Sequence, residues 1–186
     1  MSKSKLTLSN TLGIFKNVKV LVFASILVAI SVTGKLFSFN IGEYIRLGYE
    51  NLPVVFSGIA FGPILGFAIG IASDLCGCFA VGYSVNPIIT LGMGAIGLVA
   101  GIMSTLFRYN LSFLSIIIAD ISAHIVGSII ITTIGLAVYY GAKNGIAMLF
   151  MERTVNYLII MAFETIILSI LLTNTQIKKE LFKLRK

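Results

Sequence analysis

A chain of 186 residues that is 58% hydrophobic and only 11% charged, with a mean hydropathy of +1.02, is excluded from the class of water-soluble domains, which carry about 25% charged residues. A net charge of +7 invites a nucleic-acid partner, but the basic residues sit at the two ends of the chain, where they orient a membrane protein instead. At about 20 residues per span, the length holds six transmembrane helices as one membrane domain over residues 1–186, with no room for a separate soluble module.

Residues 1–19, with Lys3, Lys5, Lys16 and Lys19, read as a polar arm. The apolar run after it begins near Val20, lacks a small-x-small exit and is followed by more spans, so it reads as a retained first helix over Val20–Phe37 and not as a cleaved signal peptide. Leu52–Phe61 alone is about 15 Å of helix, roughly half of a hydrocarbon core. A spanning second helix therefore has to start near Arg46 and carry Arg46 and Glu50 into its outer part. A tight Gly62-Pro63 turn leads to a third span, Ile64–Val81, and residues 82–86 form a turn because Pro87 suits a helix's first turn. Ile88–Phe107, a long Leu111–Tyr140 and Ile146–Thr173 complete the six. From Gln176 the tail (176–186) alternates Lys178, Lys179, Lys183 and Arg185 with Ile177, Leu181, Phe182 and Leu184, the pattern of a basic amphipathic helix at a membrane surface. Gly58, Gly62, Gly66 and Gly70 recur every four residues, and because Pro63 interrupts them they predict two helices in close approach around the turn. Cys76 and Cys78 read as small buried residues.

Six spans put both termini on one side. Ten of the fourteen basic residues then share that side, which the positive-inside rule assigns to the cytoplasm. Lys35, Arg46, Lys143 and Arg153 fall at or near the outer face, with Glu43, Glu50 and Glu152. A charge within an apolar span faces protein or a water-filled cavity, because lipid offers it no partner. The stretch 46–86, which carries Arg46, Glu50 and Asp74, thus reads as one wall of a solute pocket.

Four runs, I-R-L-G-Y-E-N-L-P, G-I-A-F-G-P-I-L-G, D-L-C-G and G-Y-S-V-N-P-I-I-T-L-G, resemble the folate-specific S components of energy-coupling factor (ECF) vitamin transporters. The match is densest over 44–94. The resemblance implies an all-α membrane protein of six helices with an outward-facing pocket for folate or reduced folate. It also implies partnership with a transmembrane T protein and two cytoplasmic ATPases, in a prokaryotic plasma membrane. The protein itself would bind and not hydrolyse: there is no G-x-x-x-x-G-K-[ST] motif, and ATP is used by the partners. S components meet the T protein through small residues four apart on the first helix; here Ser25 and Ala29 stand in that pattern, continued by Thr33.

Folate combines a pterin, a benzoate ring and an anionic glutamate tail, so its pocket needs a carboxylate or amide, aromatic faces and arginine. Arg46 matches the family motif as a tail contact; its alternative is a pair with Glu50 one helix turn on. Asp74, deep in the third span, suits the pterin or a helix-packing hydrogen bond. Asp120 and His124 share a helix face and form either an internal pair or, through His124, a substrate contact. Arg153, Asn156 and Tyr157 open the sixth span at the outer side, where Arg153 is a second tail contact or an interfacial anchor. Tyr83 and Asn86 lie in the third loop, Tyr83 as a stacking lid or an interfacial tyrosine. Tyr49 and Phe79 offer further ring faces, and Glu164 reads as structural.

Three other readings stand beside this one. A channel predicts pore-lining charges along several helices, whereas the few buried charges here cluster toward one half. An S component for a different vitamin keeps the class. An intramembrane enzyme using Asp74, Asp120 and His124 changes it, but neither G-x-S-x-G nor H-E-x-x-H occurs, and a single His excludes a His-rich metal site.

Overall fold

The computed structural model describes residues 17–41, 45–141 and 145–184, with the side chains at 40, 41, 45–47, 182 and 184 outside the described set. Helix α1 (Val18–Leu36) starts at Asn17, whose Oδ1 accepts from the Lys19 amide at 3.1 Å. Its buried residues Val20, Ala24, Leu27, Ser31, Gly34 and Lys35 follow the three-and-four spacing of one helix face. Two short strands, β1 (Phe39–Ile41) and β2 (Ile45–Leu47), pair antiparallel with Asn40 opposite Arg46. They lead into α2 (Leu52–Phe61), α3 (Pro63–Val81), α4 (Pro87–Leu106), α5 (Phe113–Tyr140), α6 (Ile146–Thr173) and the terminal α7 (Thr175–Leu184).

Five of these helices, α1 and α3 to α6, are long and apolar enough to cross a membrane; α2 is the shorter sixth. The expected second span from Arg46 is corrected here. Arg46 lies in β2, and the helix begins only at Leu52, with Pro53 in its first turn. Proline fits a first turn because its missing N–H would have no partner there. Every residue of α2 from Pro53 to Phe61 is buried, so this half-length helix is enclosed by its neighbours. A hairpin at such a level is tolerated where protein or a cavity, and not lipid, surrounds it.

At Gly62 the chain takes φ 99°, ψ 177°, open only to glycine at low cost, and Pro63 restarts the helix as α3. The glycines around this turn serve chiefly α4. A Cβ on Gly58 or Gly66 would run into the Gly97 carbonyl, one on Gly70 into Met93, and one on Gly101 into Pro63. The close approach expected between α2 and α3 is present at Gly66, whose added Cβ would also stand 2.8 Å from the Gly58 Cα. The result is backbone-to-backbone packing of α2 and α3 on α4, the membrane solution to close contact without a hydrophobic driving force. Gly97→Ala is therefore expected to destabilise by about 3 kcal/mol, the upper end of ordinary overpacking, because the obstructing atoms are backbone. Thermal unfolding in detergent tests it, and an unchanged midpoint would contradict the packing described.

Helix α5 is not uniform. Its segment His124–Thr132 has the wider i→i+5 bonding of a π-helix, between α-helical Phe113–Ala123 and Thr133–Tyr140. The amphipathic tail is a helix as expected, with Leu181 buried and Lys183 paired to Glu180 at 2.6 Å.

Candidate functional site

The ends of α1, α3 and α5 and the starts of α4 and α6 meet at one end of the bundle, together with the hairpin and the loops at 48–51 and 82–86. They enclose a cavity of about 600 Å³, within the range of about 300–1,000 Å³ typical of small-molecule sites. The described basic residues of the opposite end, Lys19, Arg108, Lys178, Lys179 and Lys183, lie away from it.

One wall is an ion pair that the sequence reading missed. Lys35, near the last turn of α1, donates to Asp74 Oδ1 of α3 at 2.5 Å, and both are buried. Its stem crosses Gly77, where a Cβ would stand 2.6 Å from the Lys35 Cδ, so the D-x-x-G spacing gives the lysine both a partner and a passage. The other Asp74 oxygen accepts from Thr90 of α4 at 2.6 Å. Cys78 also touches the ammonium, with Sγ 3.4 Å from Nζ, and Glu50 lines the cavity and acts on Lys35 electrostatically. Asp74 thus ties α1, α3 and α4 together. Each carboxylate oxygen retains further acceptor capacity for a ligand.

Asn86 shapes the roof. Its Oδ1 caps α4 by accepting from the amides of Ile88 and Ile89, at 3.0 and 3.3 Å, while Nδ2 donates to the Gly135 carbonyl at 3.2 Å. Tyr83 is half exposed at the cavity rim, and Ser84 and Tyr140 bridge the loop to α5 at 3.5 Å.

The opposite wall belongs to Arg153. Its Nε donates to Thr133 Oγ1 at 3.0 Å and its Nη2 to the Tyr157 hydroxyl at 3.1 Å and the Ser128 carbonyl at 3.4 Å. The guanidinium carbon sits 5.2 Å from the centre of the Tyr157 ring. Arg153 is only 7% exposed, and among the described residues no carboxylate pairs with it. A buried guanidinium held by neutral groups at the edge of a cavity is arranged for an anion that enters from outside. Asn156 and Tyr157 line the same wall.

Of the sequence candidates, Asp74, Tyr83, Asn86, Arg153, Asn156 and Tyr157 come together around one cavity. The side chain of Arg46 lies outside the described residues. His124 is not in the lining: it is fully buried one layer below, against Ser128, Glu164 and the Tyr157 ring. Asp120 is equally buried and also absent from the lining. Tyr49 and Phe79 are also absent from the lining, and Phe79 is 78% exposed on the outside of α3. Glu50 lines the cavity, as the reading of 46–86 as a pocket wall implied; besides Lys35, the polar side chains missed include Asn51, Cys78, Ser128 and Thr132. For Lys35 a signal existed: a lysine that closes an apolar helix just after Ser31 and Gly34, where small residues mark a packed face.

On α1, Ser25 and Ala29 are exposed, with Thr33 beside them, while Ala24 faces the bundle. The helix therefore presents Ser25, Ala29 and Thr33 outward, interleaved with the exposed Val22, Ile26 and Ile30.

Comparison with known proteins places this architecture. A family model described as ECF transporter, substrate-specific component, matches residues 19–173. The crystal structure of FolT bound with folic acid superposes with a TM-score of 0.67 at 18% identity, covering 80% of this chain and 91% of that one, which shows a shared fold. A Mycoplasma pneumoniae protein described as "Uncharacterized protein MG313 homolog" is 30% identical over 73 residues, which are 39% of this chain. The aligned part spans about a quarter of that protein's length (26%). With the family model covering all five long apolar helices and α2, this chain is a multi-pass membrane protein and belongs to the substrate-specific component family of ECF transporters.

Proposed function

We propose that the chain captures folate or a reduced folate from outside the cell and delivers it to a transmembrane T protein driven by two cytoplasmic ATPases. The observation that carries the ligand is the pair of unlike walls across one cavity. Asp74, held by Lys35 and Thr90, offers a carboxylate to the N–H edge of a pterin. Arg153, buried and without a carboxylate partner among the described residues, offers a charge to the glutamate tail. Ile89, Met93, Ile96 and Leu136 supply the apolar passage that a benzoate ring needs between them. The FolT fold, seen with folic acid bound, supports the same ligand. A titration of ligand-free protein with folate, riboflavin and thiamine tests it. Folate binding at one per chain is the expected result, and preference for another of the three would keep the family role and overturn the ligand.

The cytoplasmic placement of the termini rests on the positive-inside bias, in a prokaryotic plasma membrane, and puts the cavity at the outer face. We take delivery to be a tilt of the whole protein, which suits the backbone-packed glycines of α2, α3 and α4. The exposed face at Ser25 and Ala29 is the T-protein contact in this account. Ala29→Trp is expected to leave folate binding by the isolated protein within twofold of wild type. Co-purification with the T protein and folate uptake should both fall at least tenfold. Wild-type uptake by this variant would move the contact elsewhere.

A further inference from the structure

Beneath the cavity floor lies a cluster that the binding account does not use. Asp120 and His124 of α5 and Glu164 of α6 are 0%, 0% and 2% exposed, and one ligating atom from each lies within 4.8 Å of the other two. His124 Nε2 stands 2.7 Å from Glu164 Oε2 and 3.5 Å from Asp120 Oδ1. Among the described residues, the ion pairs of both carboxylates are to His124 alone. Two carboxylates around a single imidazole leave at least one net negative charge in the interior of a membrane bundle even with a proton shared between His124 and Glu164, and one such charge is costly there. Among the described residues, Asp120 Oδ1 and Glu164 Oε1 are, besides, buried without a hydrogen-bond partner.

We propose that Asp120, His124 and Glu164 form a binding site for one divalent first-row transition ion, of the class of Zn²⁺ or Mn²⁺. A divalent cation neutralises the two carboxylates, and mixed nitrogen and oxygen donors suit this class of ion. The outer atoms of each ligand are already committed in the way that metal sites require. His124 Nδ1 is bonded to Ser128 Oγ at 2.9 Å, which turns Nε2 toward the carboxylates, and Asp120 Oδ2 accepts from Thr165 at 2.7 Å, which leaves Oδ1 for the ion. Glu164 supplies Oε2 alone or both oxygens, giving three or four protein donors. Donors at 2.0–2.1 Å from a tetrahedral ion stand about 3.3 Å apart. The 3.5 Å separation already fits. The 2.7 Å one opens when the proton between His124 and Glu164 is released to water on metal binding. The wider π-helical segment begins at His124 and sets Ser128 beneath the guanidinium of Arg153. The ion would therefore clamp α5 to α6 directly under the cavity wall.

The test uses the full chain in detergent. Metal content is measured after purification, then again after treatment with a strong chelator and reloading with Zn²⁺ or Mn²⁺, with thermal unfolding followed at each step. About one ion per chain, a lower midpoint after chelation and recovery on reloading are expected. Glu164→Gln, which keeps the size and a hydrogen bond to His124, should lower metal affinity at least tenfold while circular dichroism and elution stay as in wild type. Cobalt substituted into wild type should give the visible absorption of a mixed nitrogen–oxygen site. Absence of bound metal together with no thermal shift on adding Zn²⁺ or Mn²⁺ to wild type would overturn the site and leave a shared proton as the glue. Undiminished metal binding in Glu164→Gln would overturn the ligand set.

Discussion

Asp74→Ala is expected to abolish folate binding, with a loss of at least a thousandfold, and to lower stability by about 3 kcal/mol. The two effects have separate causes. Removing one partner of a buried pair leaves the other charge buried, which costs about 3–5 kcal/mol; the lower end applies because Cys78 and Glu50 still act on the Lys35 ammonium. Thr90 loses an acceptor as well, although its hydroxyl keeps the Asn86 carbonyl at 3.1 Å. The loss of binding follows from the proposed role of the carboxylate as acceptor for the pterin N–H edge. A second variant separates the two. Lys35→Met combined with Asp74→Leu removes both charges, and replacing a buried pair by apolar groups of similar volume is often neutral. Its midpoint should return close to wild type while folate binding stays absent. Recovery of binding in the double variant would show that Asp74 only holds the fold.

Arg153→Met is expected to weaken folate at least a hundredfold. Truncating one partner of a buried hydrogen-bonded charge pair costs about 2–5 kcal/mol, and a hundredfold is about 2.7 kcal/mol. Arg153→Lys should recover only part of this, because an ammonium lacks the planar fork and stacks less well on Tyr157. The decisive comparison is with pteroate, folate without its glutamate. Wild type should prefer folate by at least tenfold and Arg153→Met should bind the two about equally, measured by calorimetry. An unchanged preference in Arg153→Met would place the glutamate tail elsewhere in the cavity.

The spans were legible because hydropathy and helix punctuation act locally. Asn86-Pro87 starts α4 where the spacing requires it, and the basic tail folds as its alternation implies. The second helix was misjudged for a physical reason. Requiring each helix to cross the bilayer alone overlooked that a helix enclosed by five others need not meet lipid at both ends, so Leu52–Phe61 stays short and the hairpin precedes it. Asn51-Leu52-Pro53 carried the correct start in plain view.

The site was legible in part. Asp74, Asn86 and Arg153 stood out because polar groups in apolar runs need a reason. Their partners did not stand out. Lys35 meets Asp74 across 39 residues, and Glu164 meets His124 across 40, so only the packed bundle reveals either pair. The π segment of α5 is equally hidden, since its sequence is as apolar as an ordinary helix; along it Ser128 reaches the cavity lining while His124, bonded to it, lies below.

The most direct measurement is the identity and amount of small molecule retained by the protein when it is purified from cells grown with a vitamin mixture, read by mass spectrometry. Folate or a reduced folate at about one per chain, absent from Asp74→Ala and Arg153→Met preparations, is the predicted result. A different vitamin at that ratio, or folate retained undiminished by both variants, would contradict the assignment of this cavity to folate.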